Sequence, residues 1–182
     1  MEEPHLKLHN SASAISNCFT KVDDKLPGFL ASKEADHLKW VAKVKDLFLE
    51  KKDKLEVQTD DHKCGLGIWL FGVEAETICK GQDKLTSLIE AMKKPHNELH
   101  LSAIDIQEVW NSEKPEQAIE IYKTKTLPAL TNISQALNNV KNEVENILQG
   151  AREGKRIYSE ETVPALKQIQ SILSKIRAEA KK

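Results

Sequence analysis

Apolar positions recur at intervals of three and four along most of this chain, the pattern of helices that bury one face. Trp40, Val41, Val44, Leu47 and Phe48 form one such stripe in a segment that begins near residue 31. Ser32 is its candidate N-cap, and the charged run 50–54 ends it. A second stripe, Leu85, Leu88, Ile89, Met92, His96, Leu99, His100, Ala103 and Ile106, predicts a helix over about 83–109, with Pro95 expected to kink it. After Asn111 or Ser112 as cap, with Pro115 in the first turn, another helix is expected to run to about residue 149. Gly150 and Gly154 are expected to bracket a break before a last helix over about 159–180. The N-terminal segment 6–24 also reads as helical, ending near Leu26-Pro27-Gly28. Between the first two stripes, Cys64-Gly65-Leu66-Gly67-Ile68-Trp69 reads as a turn carried into a short helical start.

Two internal echoes stand out. Ile121-Tyr122 followed by Leu127-Pro128-Ala129-Leu130 returns 36 residues later as Ile157-Tyr158 and Val163-Pro164-Ala165-Leu166. Pro4-His5-x-x-Leu8-His9-x-Ser11-Ala12 returns as Pro95-His96-x-x-Leu99-His100-x-Ser102-Ala103. Repeats of this kind bury their faces against neighbours, which fits an elongated bundle. The second echo suggests that the chain opens at the tail of a preceding similar module and is a fragment of a longer protein.

Composition agrees with helix over sheet: 7 Gly and 6 Pro among 182 residues, with abundant Lys, Glu, Leu and Ala. With 27 basic against 28 acidic residues and no basic block, nucleic acid is not expected as a partner. No apolar run approaches the roughly 20 residues that cross a bilayer, and no signal peptide is visible. Three cysteines are too few for a disulfide framework; Cys18 and Cys79, beside Phe19 and Ile78, read as small core hydrophobes, with a Cys18–Cys79 bridge in an oxidising compartment as the alternative.

The chemistry concentrates in four residues. His96 and His100, at i and i+4, project from one helical face as two nitrogen donors for one metal. They stand where apolar residues are expected. His37 lies one turn before Trp40 on the buried stripe of another helix, and Cys64 offers a thiolate from a glycine-containing turn. A single histidine on an apolar face is ordinarily a satisfied core residue. Three imidazoles and a thiol on buried faces instead match tetrahedral Zn²⁺ rather than oxygen-seeking Mg²⁺ or Ca²⁺. His62, two residues before Cys64, reads as an exposed loop residue or an alternative ligand. His5 and His9 read as a vestigial or surface pair, and Asp60 and Asp61 as turn caps. Trp40 and Trp69 read as packing around the site, and Tyr122 and Tyr158 as bundle residues with surface hydroxyls.

Asp36-His37-Leu38-Lys39-Trp40, then His62-Lys63-Cys64-Gly65-Leu66-Gly67-Ile68-Trp69, then Pro95-His96-x-x-Leu99-His100 resemble the chemoreceptor zinc-binding (CZB) domain over about residues 30–110. The resemblance implies an all-α, four-helix bundle whose zinc ligands are His37, Cys64, His96 and His100, here with an additional C-terminal helical pair. The organisation expected is an N-terminal helix over 1–30, a CZB-like bundle over 31–111 and a helical sensor extension over 112–182. It further implies the sensory input of a methyl-accepting chemotaxis protein. Such a receptor is dimeric and membrane-anchored, coupled to a chemotaxis adaptor and a histidine kinase. The alternatives are a diguanylate cyclase input, a structural zinc bundle or a small-ligand sensor. The Ile-Tyr-x4-[Leu/Val]-Pro-Ala-Leu stretches resemble extracytoplasmic sensor helices and favour a periplasmic position, with a cytoplasmic one as the alternative. A zinc held by four protein ligands has no open position for substrate, so no catalytic residue and no enzyme is expected.

Overall fold

The structure is a computed structural model that describes residues 2–18 and 22–181. Among the described residues every regular element is helical. Eight α-helices follow in order: α1 (Glu2–Ser16), α2 (Leu26–Leu49), α3 (Gly65–Leu70), α4 (Val73–Cys79), α5 (Asp83–Asn111), α6 (Pro115–Ile121), α7 (Leu127–Ile157) and α8 (Val163–Glu179). The chain is therefore all-α, as expected. Phe19 and part of the expected 6–24 helix lie outside the described residues.

The contacts divide the chain into two compact units, Asp23–Val144 and Met1–Val22 with Glu145–Lys182. That division cuts the chain elsewhere than at 30/31 and 111/112. In the unit Asp23–Val144, α2 buries Leu30, His37, Trp40, Val41, Val44 and Leu47, and α5 buries Leu85, Ile89, Met92, His96, Leu99, His100, Ala103 and Ile106. The first part of α7 closes the bundle with Ile133, Leu137, Val140 and Val144. The ion pairs Glu34–Lys141 and Lys84–Glu143 set α7 beside α2 and α5. The spacing of each stripe follows the helical repeat, so one face of each helix leaves water and the other stays charged.

Several helix ends differ from the sequence expectation. Leu26-Pro27-Gly28 does not end a helix; it forms the first turn of α2, where a missing proline N–H costs nothing because the first amides have no intrahelical partner. Ser32 lies inside that helix, its hydroxyl donating to the Phe29 carbonyl. Ser112 ends α5 instead of starting α6, and Glu113 turns the chain with φ 58°. Helix α5 runs unbroken through Pro95, and α7 runs unbroken through Gly150 and Gly154.

The interruptions fall on the 36-residue echo. Tyr122–Thr126 and Tyr158–Thr162 are single π-turns, in which the Leu127 and Val163 amides donate to carbonyls five residues back, at Tyr122 and Tyr158. Each π-turn stands directly ahead of a proline-containing helix start, Pro128 or Pro164. Proline cannot donate and crowds the carbonyl four residues back, so a locally widened turn accommodates it.

The unit Met1–Val22 with Glu145–Lys182 packs α1 on the second π-turn and α8. The Thr162 hydroxyl donates to Ser11 at 2.9 Å. In the other unit the equivalent pair, Thr126 to Ser102, is made at 2.8 Å. Both sequence echoes are thus one structural motif used twice: a Pro-His-x-x-Leu-His-x-Ser-Ala helix seated on a π-turn through a serine–threonine bond.

Candidate metal centre

Three segments converge on one point in the core of the unit Asp23–Val144. The i,i+4 spacing on α5 carries His96 and His100 inward, 0 % and 1 % exposed. Helix α2 brings His37, and the turn before α3 brings Cys64 as the N-cap residue. One donor atom from each of the four lies within 4.8 Å of every other. The Cys64 Sγ is 3.1 Å from His96 Nε2 and 3.9 Å from His37 Nε2. Sulfur and nitrogen ligands of one tetrahedral zinc would be about 3.6 Å apart, given bonds of about 2.3 and 2.0–2.1 Å. The observed separations bracket that value.

The hydrogen bonds at the back of each ring fix which nitrogen faces the centre. His37 Nδ1 donates to the Lys33 carbonyl at 2.7 Å, and His100 Nδ1 donates to the Gln58 carbonyl at 2.8 Å. Each leaves Nε2 as an unprotonated lone pair, the tautomer that a metal requires. His100 Nε2 and His96 Nδ1 are buried and have no hydrogen-bond partner. A buried nitrogen left bare costs on the order of 1–3 kcal/mol, so His100 Nε2, whose ring is already anchored through Nδ1, calls for a partner of another kind. A cation at the centre of the four-residue cluster could supply it.

Electrostatics point the same way. Burial, reinforced by neighbouring His100 and His37, pushes the His96 imidazolium down to about 3. Burial also lowers His37 and His100, partly offset by the hydrogen bonds to Lys33 and Gln58. The three rings are therefore neutral and available as donors near pH 7. Burial raises the Cys64 thiol, against N–H donation from Gly67 and Leu66. The cysteine keeps its proton until a cation displaces it.

Supporting residues complete the site. The Gly67 amide donates to Cys64 Sγ at 3.2 Å, and a Cβ on Gly67 would run into the Asp61 carbonyl oxygen. Only glycine lets the 61–64 turn close over α3, which is the physical content of Cys-x-x-Gly-x-Trp. The Gln58 carbonyl also accepts from Trp40 Nε1 at 2.8 Å, and the Trp40 ring lies 5.3 Å from that of His100. Trp69 is buried beside Phe29, as packing.

Asp61 departs from its expected role. It is buried rather than a solvated cap: although burial pushes its carboxyl up, hydrogen bonds from His62 and Asn97 hold it below the usual range. His62 stacks on Phe71 with ring centroids 3.9 Å apart and lies outside the four-donor cluster. Nothing in the local pattern marks Gln58 or Asp61, since one acts through its backbone and the other depends on Asn97 of α5. Asp36, the acid nearest to His37 in sequence, is paired with Lys33 at 2.6 Å. Cys18, Cys64 and Cys79 are free thiols, and Cys18 and Cys79 are half-buried rather than part of the core. Tyr122 packs against Phe48 and Tyr158 is exposed.

No helix among the described residues is long and apolar enough to cross a membrane. No curated protein and no solved structure matches the chain. A CZB domain is a sensory rather than a catalytic one, it binds zinc, and the four-residue cluster is suited to that metal. The family model that matches this chain is the chemoreceptor zinc-binding domain (CZB), over residues 37–107, a span that holds all four donors.

Proposed function

We propose that His37, Cys64, His96 and His100 are the ligands of one zinc ion, and that this site is the sensory element of a chemoreceptor-type input domain. The observation that carries it is the bare buried His100 Nε2, in one cluster with His37, His96 and the half-buried Cys64 thiol. Bound zinc would neutralise the thiolate and tie α2, the Cys64 turn and α5 together. Four protein ligands close the coordination, which favours sensing or structure over catalysis. The chemical lever is Cys64: oxidation of its sulfur, or loss of metal, releases the turn from two helices. The freed segment then shifts the packing of α2 against α5, a small displacement that a bundle can transmit.

In the full receptor this module works as a homodimer in a membrane-anchored methyl-accepting chemotaxis protein, coupled to an adaptor and a histidine kinase. We place it on the cytoplasmic rather than the periplasmic side. CZB domains are cytoplasmic, and three unpaired thiols, one of them a ligand, suit a reducing compartment.

Metal analysis of the purified protein tests the site: about one zinc per chain is expected, falling to below a tenth in Cys64→Ala and His96→Ala. Hydrogen exchange tests the lever, with faster exchange of α2 and α5 amides expected after chelation or mild peroxide. Zinc bound equally by both variants would remove the site. Unchanged exchange after metal loss would leave a purely structural role.

A further inference from the structure

The geometry of α1 points to a second metal site on this chain: we propose that His5 and His9 chelate a divalent transition ion of the zinc class, with water filling the remaining positions. It stands apart from the His37 site and does not depend on it.

The two imidazoles lie on the solvent face of α1, both exposed, with Nε2 atoms 3.1 Å apart. Two nitrogens on one zinc, with bonds of about 2.0–2.1 Å, sit roughly 2.8–3.4 Å apart for angles between square and tetrahedral. The pair thus already has the bite of a chelate. Its ring centroids are 4.7 Å apart at 70°, against 4.8 Å at 81° for His96 and His100 in the core. The sequence context is the same Pro-His-x-x-Leu-His-x-Ser-Ala. The helix is held in the same way, through Ser11 to Thr162 as through Ser102 to Thr126. Two rings preset on one anchored helix lose little freedom on binding, which is what makes a two-ligand site useful.

The chemistry balances without any co-reactant. In the free protein one Nε2–H donates to the other ring's Nε2. Binding moves that proton to Nδ1 of the same ring, so both Nε2 lone pairs face the ion. Such a site is open, exchangeable and reached from solvent, in contrast to the closed core cluster. Mg²⁺ and Ca²⁺, which take oxygen ligands, would not compete.

Calorimetric titration of the metal-free full chain with Zn²⁺ tests this, followed by ring-proton NMR of His5 and His9. The expected result is a tight first equivalent and a second one at least tenfold weaker, the second accompanied by shifts of both ring spectra. His5→Ala and His9→Ala, at exposed positions, should each abolish the second equivalent and keep the first. A titration that stops at one equivalent, or a second that survives both substitutions, overturns the proposal. Absence of the first equivalent with the second retained would instead count against the His37 site alone.

Discussion

At Gly67 a single missing Cβ lets the Asp61 carbonyl pass over α3, and the same residue's amide steadies the Cys64 sulfur. Gly67→Ala is therefore expected to act as more than an ordinary helix substitution. The turn must open, which costs on the order of 1–3 kcal/mol as in other overpacked sites. Thermal melting should show that loss, and zinc affinity should drop at least tenfold. Protonation gives a second residue-scale test. An unfolded histidine binds its proton near pH 6.5, whereas His96 in the fold resists it down to about 3. The unfolded state thus binds more protons in that window, and the metal-free protein loses stability as pH falls from 6.5 toward 3. Above 6.5 this contribution is flat. Denaturant melts of the metal-free form at pH 7, 6 and 5 should show a falling midpoint, and His96→Ala should flatten the trend. The clustering of His37, Cys64, His96 and His100 was legible beforehand because helical spacing and the Cys-x-x-Gly-x-Trp turn are local patterns. Gln58 was not, because its part is played by a backbone carbonyl that any residue carries.

Among the elements, helix boundaries tell where local reading succeeds. Stripes such as Trp40-Val41-Val44-Leu47 and Leu85-Ile89-Met92-His96 identified α2 and α5, since burial follows the helical period. Pro27-Gly28 misled, because the same pair serves a helix stop or a helix start depending on which side the apolar stripe continues. Gly150 and Gly154 also read as a break, yet both lie within α7. Their surroundings separate them. A Cβ on Gly150 would meet nothing within 4 Å, whereas one on Gly154 would lie 2.7 Å from the Cys18 Cβ. Gly150→Ala is expected to stabilise by about 0.5–1 kcal/mol through helix propensity. Gly154→Ala should destabilise by about 1–3 kcal/mol despite the same propensity gain, because backbone and Cβ atoms must move apart. Paired melting curves of the two variants check the sign of each.

The whole chain gathers Met1–Val22 with Glu145–Lys182, a grouping that no continuous segment of sequence displays. It was foreshadowed only by the two echoes, whose helix and π-turn partners turn out to meet as Ser11 with Thr162 and Ser102 with Thr126. The four proposed zinc donors all lie in Asp23–Val144. Chelation is accordingly expected to accelerate amide exchange in α2, α3 and α5 while leaving α1 and α8 within about twofold, measured by mass spectrometry on peptides from each helix. Equal acceleration throughout would show that the core site governs both units.

The carbonyl of Gln58 receives both the Trp40 indole N–H and the His100 ring N–H, and the two rings sit 5.3 Å apart. An indole tethered to the same oxygen as an imidazole, and within reach of its excited-state quenching, is a native optical gauge of what that imidazole is doing. Fluorescence from Trp40, isolated in a Trp69→Phe, Trp110→Phe background, should therefore rise or fall in step with site occupancy. It would give a label-free readout of metal exchange in real time.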